Sequence, residues 1–163
     1  MKPYFLLLLL TTNVSALFAE AGPEPVKNRN QALTVGFGHV GLSVSDLEAT
    51  TNFFVKTLGW KLRGGDPSYP AKFVSDGKMF LTLWQTTTKT ESVKFNRKKN
   101  VGLHHLAFTV ASFEALEEIH QRVKLIEGVV IEFPPELAYG GPRKHMMIRE
   151  PSGNRLEFAH SPK

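Results

Sequence analysis

His39-Val40-Gly41-Leu42-Ser43-Val44 runs into Ser45-Asp46-Leu47-Glu48-Ala49, and the same order returns downstream. There His105-Leu106-Ala107-Phe108-Thr109-Val110 runs into Ala111-Ser112-Phe113-Glu114-Ala115. A repeat of this kind means that one supersecondary unit is built twice. Period-two alternation makes each leading segment a strand. Val40, Leu42 and Val44 share one face of the first, and Leu106, Phe108 and Val110 share one face of the second. Each following segment reads as a helix. Ser45 with Glu48 forms a capping-box pattern, and Phe53, Phe54 and Leu58 recur on one side until Gly59 stops the helix. In the second copy Ser112 is the cap, and Leu116, Ile119, Val123 and Ile126 form a stripe that ends at Gly128. Such stripes are core faces.

Three strand-like runs follow each helix. The first set is Trp60 to Arg63, Ala71 to Val74 and Met79 to Trp84; the second is Val129 to Phe133, His145 to Ile148 and Arg155 to Ala159. Turn signals separate them at Gly64-Gly65, Asp76-Gly77, Gly140-Gly141-Pro142 and Pro151-Ser152-Gly153-Asn154. Each half is therefore βαβββ, and the class is α+β. With a helix on one face of each sheet, the opposite faces are left to curl around a central cleft.

Alternation then selects the cleft residues. If Val40, Leu42 and Val44 lie under the helix, His39, Gly41 and Ser43 point the other way. By the same rule His105, Ala107 and Thr109 face the cleft, as do Glu157 and Ala159 in the last strand, with Thr82 in the place of Glu157 in the first half. Phe80 and Trp84 share the face of Thr82, either as a wall of the cleft or as packing at an interface between copies. A carboxylate half-enclosed beside two imidazoles is costly unless paired or metal-bound. Two His and one carboxylate with open positions suit Fe(II) and accept Mn, Ni, Co or Zn. His39, His105 and Glu157 are the metal candidates. His104 is expected on the opposite face from His105 and His120 on the surface, while His145 and His160, near strand ends, either support the ligands from behind or are solvated, the latter favoured.

The N-terminus reads as a signal peptide over residues 1–21. Met1-Lys2 is basic, Phe5 to Leu10 is apolar, and Ala19-Glu20-Ala21 is a cleavage site. The apolar run is shorter than the roughly 20 residues of a span, so no stable membrane anchor is expected. A secreted or periplasmic protein follows, with a flexible segment at 22–35 and one domain at 36–163, divided into module one at 36–86, a linker at 87–101 and module two at 102–160. No cysteine is present, which excludes disulfides and thiolate metal sites. The net charge of +5 sits largely in Lys89 to Lys99, a solvated linker without the interleaved aromatics of a nucleic-acid platform.

Taken together, GHVGLSVSDLEAT (Gly38 to Thr50), LHHLAFTV (Leu103 to Val110) and EPSGNRLEF (Glu150 to Phe158) resemble the vicinal oxygen chelate superfamily. That superfamily includes glyoxalase I, bleomycin-resistance proteins, fosfomycin-resistance transferases and extradiol dioxygenases, and the resemblance covers about residues 36 to 160. It implies metal ligands at His39, His105 and Glu157, a homodimer, and one divalent metal that stabilises an enolate or oxyanion on a small substrate. Resemblance to glyoxalases also allows Glu157 to act as a catalytic base. Glyoxalase I adds a Glu where this chain has Thr82, and the fosfomycin transferases place a Tyr where it has Met147, a possible cleft-lining residue. The resemblance implies a glyoxalase-type lyase or isomerase. The alternatives are an Fe(II) extradiol-type dioxygenase and a metal-free sequestering protein like the bleomycin-resistance members. Export weighs against dependence on glutathione, a mainly cytosolic reagent.

Overall fold

The computed structural model describes residues 32–87 and 90–162. Contacts divide the chain into Met1–Val35 and Gly36–Lys163. The signal-peptide expectation for residues 1–21 lies outside the described residues, as does most of the 22–35 segment.

Within Gly36–Lys163 the βαβββ unit is built twice. The first copy is β1 (Val40–Val44), α1 (Leu47–Asn52), a wide π-helical turn (Phe53–Thr57), β2 (Lys61–Asp66), β3 (Ala71–Ser75) and β4 (Phe80–Gln85). The second is β5 (Leu106–Thr109), α2 (Phe113–Val123), β6 (Val130–Leu137), β7 (Lys144–Arg149) and β8 (Arg155–His160). The sheets have the orders β1-β4-β3-β2 and β5-β8-β7-β6. In each, the first strand pairs parallel with the last and the other pairings are antiparallel. The repeat in sequence is thus a repeat in topology, and the class is α+β as expected.

The first helix differs from expectation at its start. Asp46, not Ser45, is its N-cap: Asp46 has extended backbone and its carboxylate accepts from the Ala49 amide at 3.0 Å. The Ser45 carbonyl instead accepts from the Gln85 side chain at 2.7 Å. Ser112 caps α2 as read, accepting from Ala115 N at 3.1 Å.

Two strands also run further than their turn signals suggest. Gly64 and Gly65 lie inside β2, where the register shifts between Leu62 and Gly64. A Cβ on Gly65 would stand 2.4 Å from the Ala71 carbonyl oxygen, so glycine here permits close approach of two backbones rather than a turn. β6 likewise continues through Pro134 and Pro135 at a register shift. Both are edge strands, where a missing amide donor or a bulge is tolerated.

The helix-side faces of both halves feed one apolar cluster. Leu42, Val44, Leu81 and Leu83 enter from the first sheet, and Phe108, Ile148, Leu156 and Phe158 from the second. The Phe54 ring lies 5.1 Å from Trp60 and 6.3 Å from Phe108, and Trp60 lies 5.5 Å from Phe108. Phe54 is fully buried, so truncating it to Ala costs about 3–5 kcal/mol. Among the described residues no helix is long and apolar enough to cross a membrane.

Candidate functional site

Register settles which residues are equivalent. Gly41 pairs with Thr82, and Ala107 pairs with Glu157. Because Leu81, Leu83, Leu156 and Phe158 all enter the core, Thr82 and Glu157 stand on the opposite faces of equivalent strands.

In the first half this face is aromatic around Thr82. The Trp84 indole N–H donates to Thr82 Oγ1 at 2.9 Å. A Cβ on Gly41 would lie 3.3 Å from that hydroxyl and 3.5 Å from the indole nitrogen, so the glycine makes room for the ring. Trp84 contacts Tyr69 and Phe73, with ring centroids at 5.2 and 6.0 Å, and Phe73 contacts Phe80 at 6.1 Å.

In the second half the face is ionic. Glu157 is only 7% exposed, and three basic side chains surround its carboxylate. Oε1 accepts from Arg143 at 3.0 Å and lies 2.8 Å from Nδ1 of His145. Oε2 faces Nε2 of His105 at 3.1 Å. Met147, in register beside Glu157, is buried. The Phe133 ring lies 5.0 Å from His145 and packs it in place.

Beside this group stands a second ion cluster. Glu132 accepts from Arg155 Nε at 2.6 Å and forms ion pairs with Arg149 at 2.9 Å and Arg97 at 3.6 Å. Burial works against the charged form of Glu132, yet the Arg155 hydrogen bond and the charges of Arg155, Arg149 and Arg97 outweigh it and lower its pKa. The pKa of His104 is also lowered, first by desolvation and then by the charges of Arg155, His105 and Arg97, against the pull of Glu132.

Of the three metal candidates, the structure brings together His105 and Glu157. His39 precedes β1, is exposed, and makes no hydrogen bond or ion pair among the described residues. Nor do any three His, Cys, Asp or Glu side chains among those residues form a group that could hold a metal ion.

His104 departs from expectation. Its Nδ1 is 2.8 Å from Nδ1 of His105, so both rings lie on one side. Strand alternation fails here because β5 begins only at Leu106. Of the two alternatives for His145, the structure favours the one beside Glu157 over the solvated one, since it contacts Glu157 and its side chain is largely buried. Alternation would have found it: His145 shares the face of Met147, two residues on. Arg143 was missed because it precedes β7 and has no strand pattern to place it. His160 is half-buried, 2.9 Å from the Val110 carbonyl and packed on Phe113. His120 pairs with Glu117 on the surface, as expected.

Crevices among the described residues lie elsewhere. One of about 190 Å³ is lined by Gly41, Ser43, Leu103 and Arg155 among others, and one of about 610 Å³ by Ser43, Lys94, Arg149 and Asn154 among others. His105 and Glu157 line neither.

The profile of the Glyoxalase/Bleomycin resistance protein/Dioxygenase superfamily matches residues 36–158. Uncharacterized protein YwkD of Bacillus subtilis (strain 168) is 30% identical over 90 residues, which is 52% of this chain and 69% of that protein. Solved structures share the fold at low identity. A glyoxylase/bleomycin resistance protein/dioxygenase domain from Frankia sp. EAN1pec superposes with a TM-score of 0.67 at 22% identity, covering 79% of this chain and 99% of that one. Lactoylglutathione lyase from Agrobacterium tumefaciens gives 0.59 at 20% identity, covering 79% and 96%. A genomically encoded fosfomycin resistance protein from Listeria monocytogenes gives 0.62 at 19% identity, covering 80% and 96%.

Proposed function

This chain belongs to the Glyoxalase/Bleomycin resistance protein/Dioxygenase superfamily, and from that premise we propose that it is a metal-dependent lyase or isomerase of glyoxalase type. Its substrate is a small molecule that presents two neighbouring oxygens to the metal. The observation that carries the reading is the His105–Glu157 pair. An imidazole nitrogen and a carboxylate oxygen face each other at 3.1 Å, while the other carboxylate oxygen is already held by Arg143 and His145. One nitrogen and one oxygen donor fit a borderline divalent ion (Fe, Mn, Ni, Co or Zn) and lack one ligand.

His39 is the missing donor, supplied by a second copy of the chain in a homodimer. A two-fold interface uses the same patch on both partners, so one contact makes two equivalent sites. Exposed apolar side chains flank both histidines: Phe37 beside His39 is 91% exposed and Leu103 near His105 is 51% exposed. Exposed apolar surface of that kind is what an interface covers. The same association would lay the aromatic face of Phe80 and Trp84 over the open ionic face and enclose a cleft.

When bound, the metal supplies Lewis-acid stabilisation of the oxyanion that develops on the substrate. The side chains do the rest. Arg143 and His145 hold Oε1 of the Glu157 carboxylate, and its Oε2 would serve as the base toward the carbon beside the substrate carbonyl on leaving the ion. Thr82 adds no charge, which leaves positions open for two substrate oxygens. Phe80 and Trp84 exclude water from the developing charge. The similarity to a lactoylglutathione lyase supports this reaction class. The protein acts outside the cytoplasm, secreted or periplasmic after cleavage near Ala21.

The test pairs metal titration with proton exchange. Purified protein should bind one divalent ion per chain and catalyse deuterium uptake from D2O at the carbon beside the carbonyl of a 2-hydroxycarbonyl compound. Iron content with oxygen consumption on a catechol would replace this reading with the extradiol dioxygenase. Protein that takes up no metal would leave the sequestering role.

A further inference from the structure

We propose that the crevice of about 610 Å³, on the seam between the two halves, binds a small organic phosphate, with Lys94 and Arg149 taking the phosphoryl group. It is a separate site from the Glu157 face, and the inference does not rest on the function proposed there. The volume falls within the roughly 300–1,000 Å³ of small-molecule sites.

The lining carries one sign of charge. Lys94 and Arg149 line the crevice, and among the described residues no carboxylate does. The ion pair of Arg149 does not use up its charge. Glu132 is shared by Arg149, Arg155 and Arg97, three guanidinium groups on one carboxylate. Lys94 is exposed and makes no ion pair among the described residues. Glu150, bonded to Ser152 and Asn154 of the lining, is fully buried, and both its oxygens already accept hydrogen bonds. The hydroxyls of Ser43 and Ser45 line the same space and add donors that can turn toward an anion. A phosphate monoester, with a charge of about −1.5 to −2 at neutral pH, matches two cations better than a carboxylate does.

The frame around these groups is fixed before any ligand arrives. The Asn154 side chain donates to the Ser43 carbonyl at 3.0 Å, and the Asp46 amide donates to Ser152 Oγ at 3.1 Å, so both ends of the seam are tied. Arg149 Nη1 donates to the carbonyls of Gly153 at 3.0 Å and Phe95 at 3.3 Å, which holds the guanidinium between turn and linker. Its Nη2 takes no part in these bonds and is left to donate to a ligand. Donors placed in advance lose little freedom on binding. Val93, Phe95 and Val130 give the crevice an apolar side for the ligand's carbon skeleton.

The experiment titrates the full chain with glycerol 3-phosphate, inorganic phosphate and glycerate by calorimetry. Glycerol 3-phosphate should bind more tightly than the other two, and more weakly as salt is added. Amide NMR shifts should move at Ser43, Lys94 and Gly153 and stay still at His105 and Glu157. Lys94→Gln should weaken binding by about 10-fold, the usual loss of one charge-assisted hydrogen bond, and Lys94→Arg should recover it. Because Lys94 is exposed, both variants should keep the wild-type circular dichroism. The proposal is overturned by an absence of saturable binding, by glycerate binding as tightly, by shift changes at His105 and Glu157 instead, or by an affinity indifferent to Lys94→Gln.

Discussion

The Thr50 hydroxyl of the first half donates a 2.6 Å hydrogen bond to Oε2 of Glu150 in the second, and neither residue is exposed to solvent. Glu150 also accepts from the amides of Ser152 and Asn154 and from the Asn154 side chain, each at 2.9 Å. One buried carboxylate thus shapes the turn before β8 and ties that turn to the other half. Glu150→Ala leaves these donors without a partner, and the loss should be about 3 kcal/mol. Thr50→Val keeps the volume and removes two bonds, to Glu150 and to the Ser152 hydroxyl, while leaving the rest of the Glu150 network paired, for about 1–2 kcal/mol. Urea denaturation should rank them in that order.

Glu132 predicts a pH dependence. Its folded pKa is lowered, with the Arg155 hydrogen bond and the charges of Arg155, Arg149 and Arg97 outweighing the opposing effect of burial. A lowered carboxylate pKa contributes stability above the unfolded value and loses it as pH falls through the folded value. Glu132→Gln should therefore cost about 2 kcal/mol near neutral pH. The gap from wild type should close below the ordinary carboxylate range. Unfolding midpoints measured across an acid series check this; a gap that stays constant with pH would contradict it.

The aromatic face has its own probe. Gly41→Val places methyl groups where the Trp84 indole lies, since even a Cβ would stand 3.5 Å from its nitrogen. The ring should swing out, losing its bond to Thr82, at about 1–3 kcal/mol. Trp60, which is buried, is the other of the two tryptophans. In a Trp60→Phe background the emission of Trp84 should shift to longer wavelength.

His145 should matter for metal rather than for folding. Its Nδ1 holds Oε1 of Glu157 at 2.8 Å, so His145→Ala frees the carboxylate to rotate. Metal affinity should fall by about 10-fold or more. Calorimetric titration of the variant beside wild type measures this.

Much of the fold was legible because the repeat and period-two alternation are local signals. Val44, Leu83 and Leu156 went to the core for the reason that put Thr82 and Glu157 on the other face. The errors fell where the local rule stopped. His104 lies one residue before β5 reaches Leu106, Gly64 and Gly65 sit in an edge-strand bulge, and Asp46 outcompeted Ser45 for a cap. Of the three residues read as ligands, the structure brings His105 and Glu157 together and leaves His39 apart. Alternation assigns His39 to a face, but it says nothing about which copy of the other half that face meets. The helix-side packing of Phe54 and Trp60 on Phe108 leaves the faces of Thr82 and Glu157 on the far side of the two sheets from the shared core.

The central claim is that His39 of one chain joins His105 and Glu157 of another around a metal ion. The direct measurement is metal stoichiometry in a heterodimer made by mixing differently tagged His39→Ala and Glu157→Ala chains. Each variant alone should bind no ion tightly, because every shared site carries a lesion. The heterodimer gathers both lesions into one site and leaves the other intact, so it should bind one ion with wild-type affinity. A heterodimer as empty as its parents, or a variant homodimer that still binds like wild type, would contradict the account.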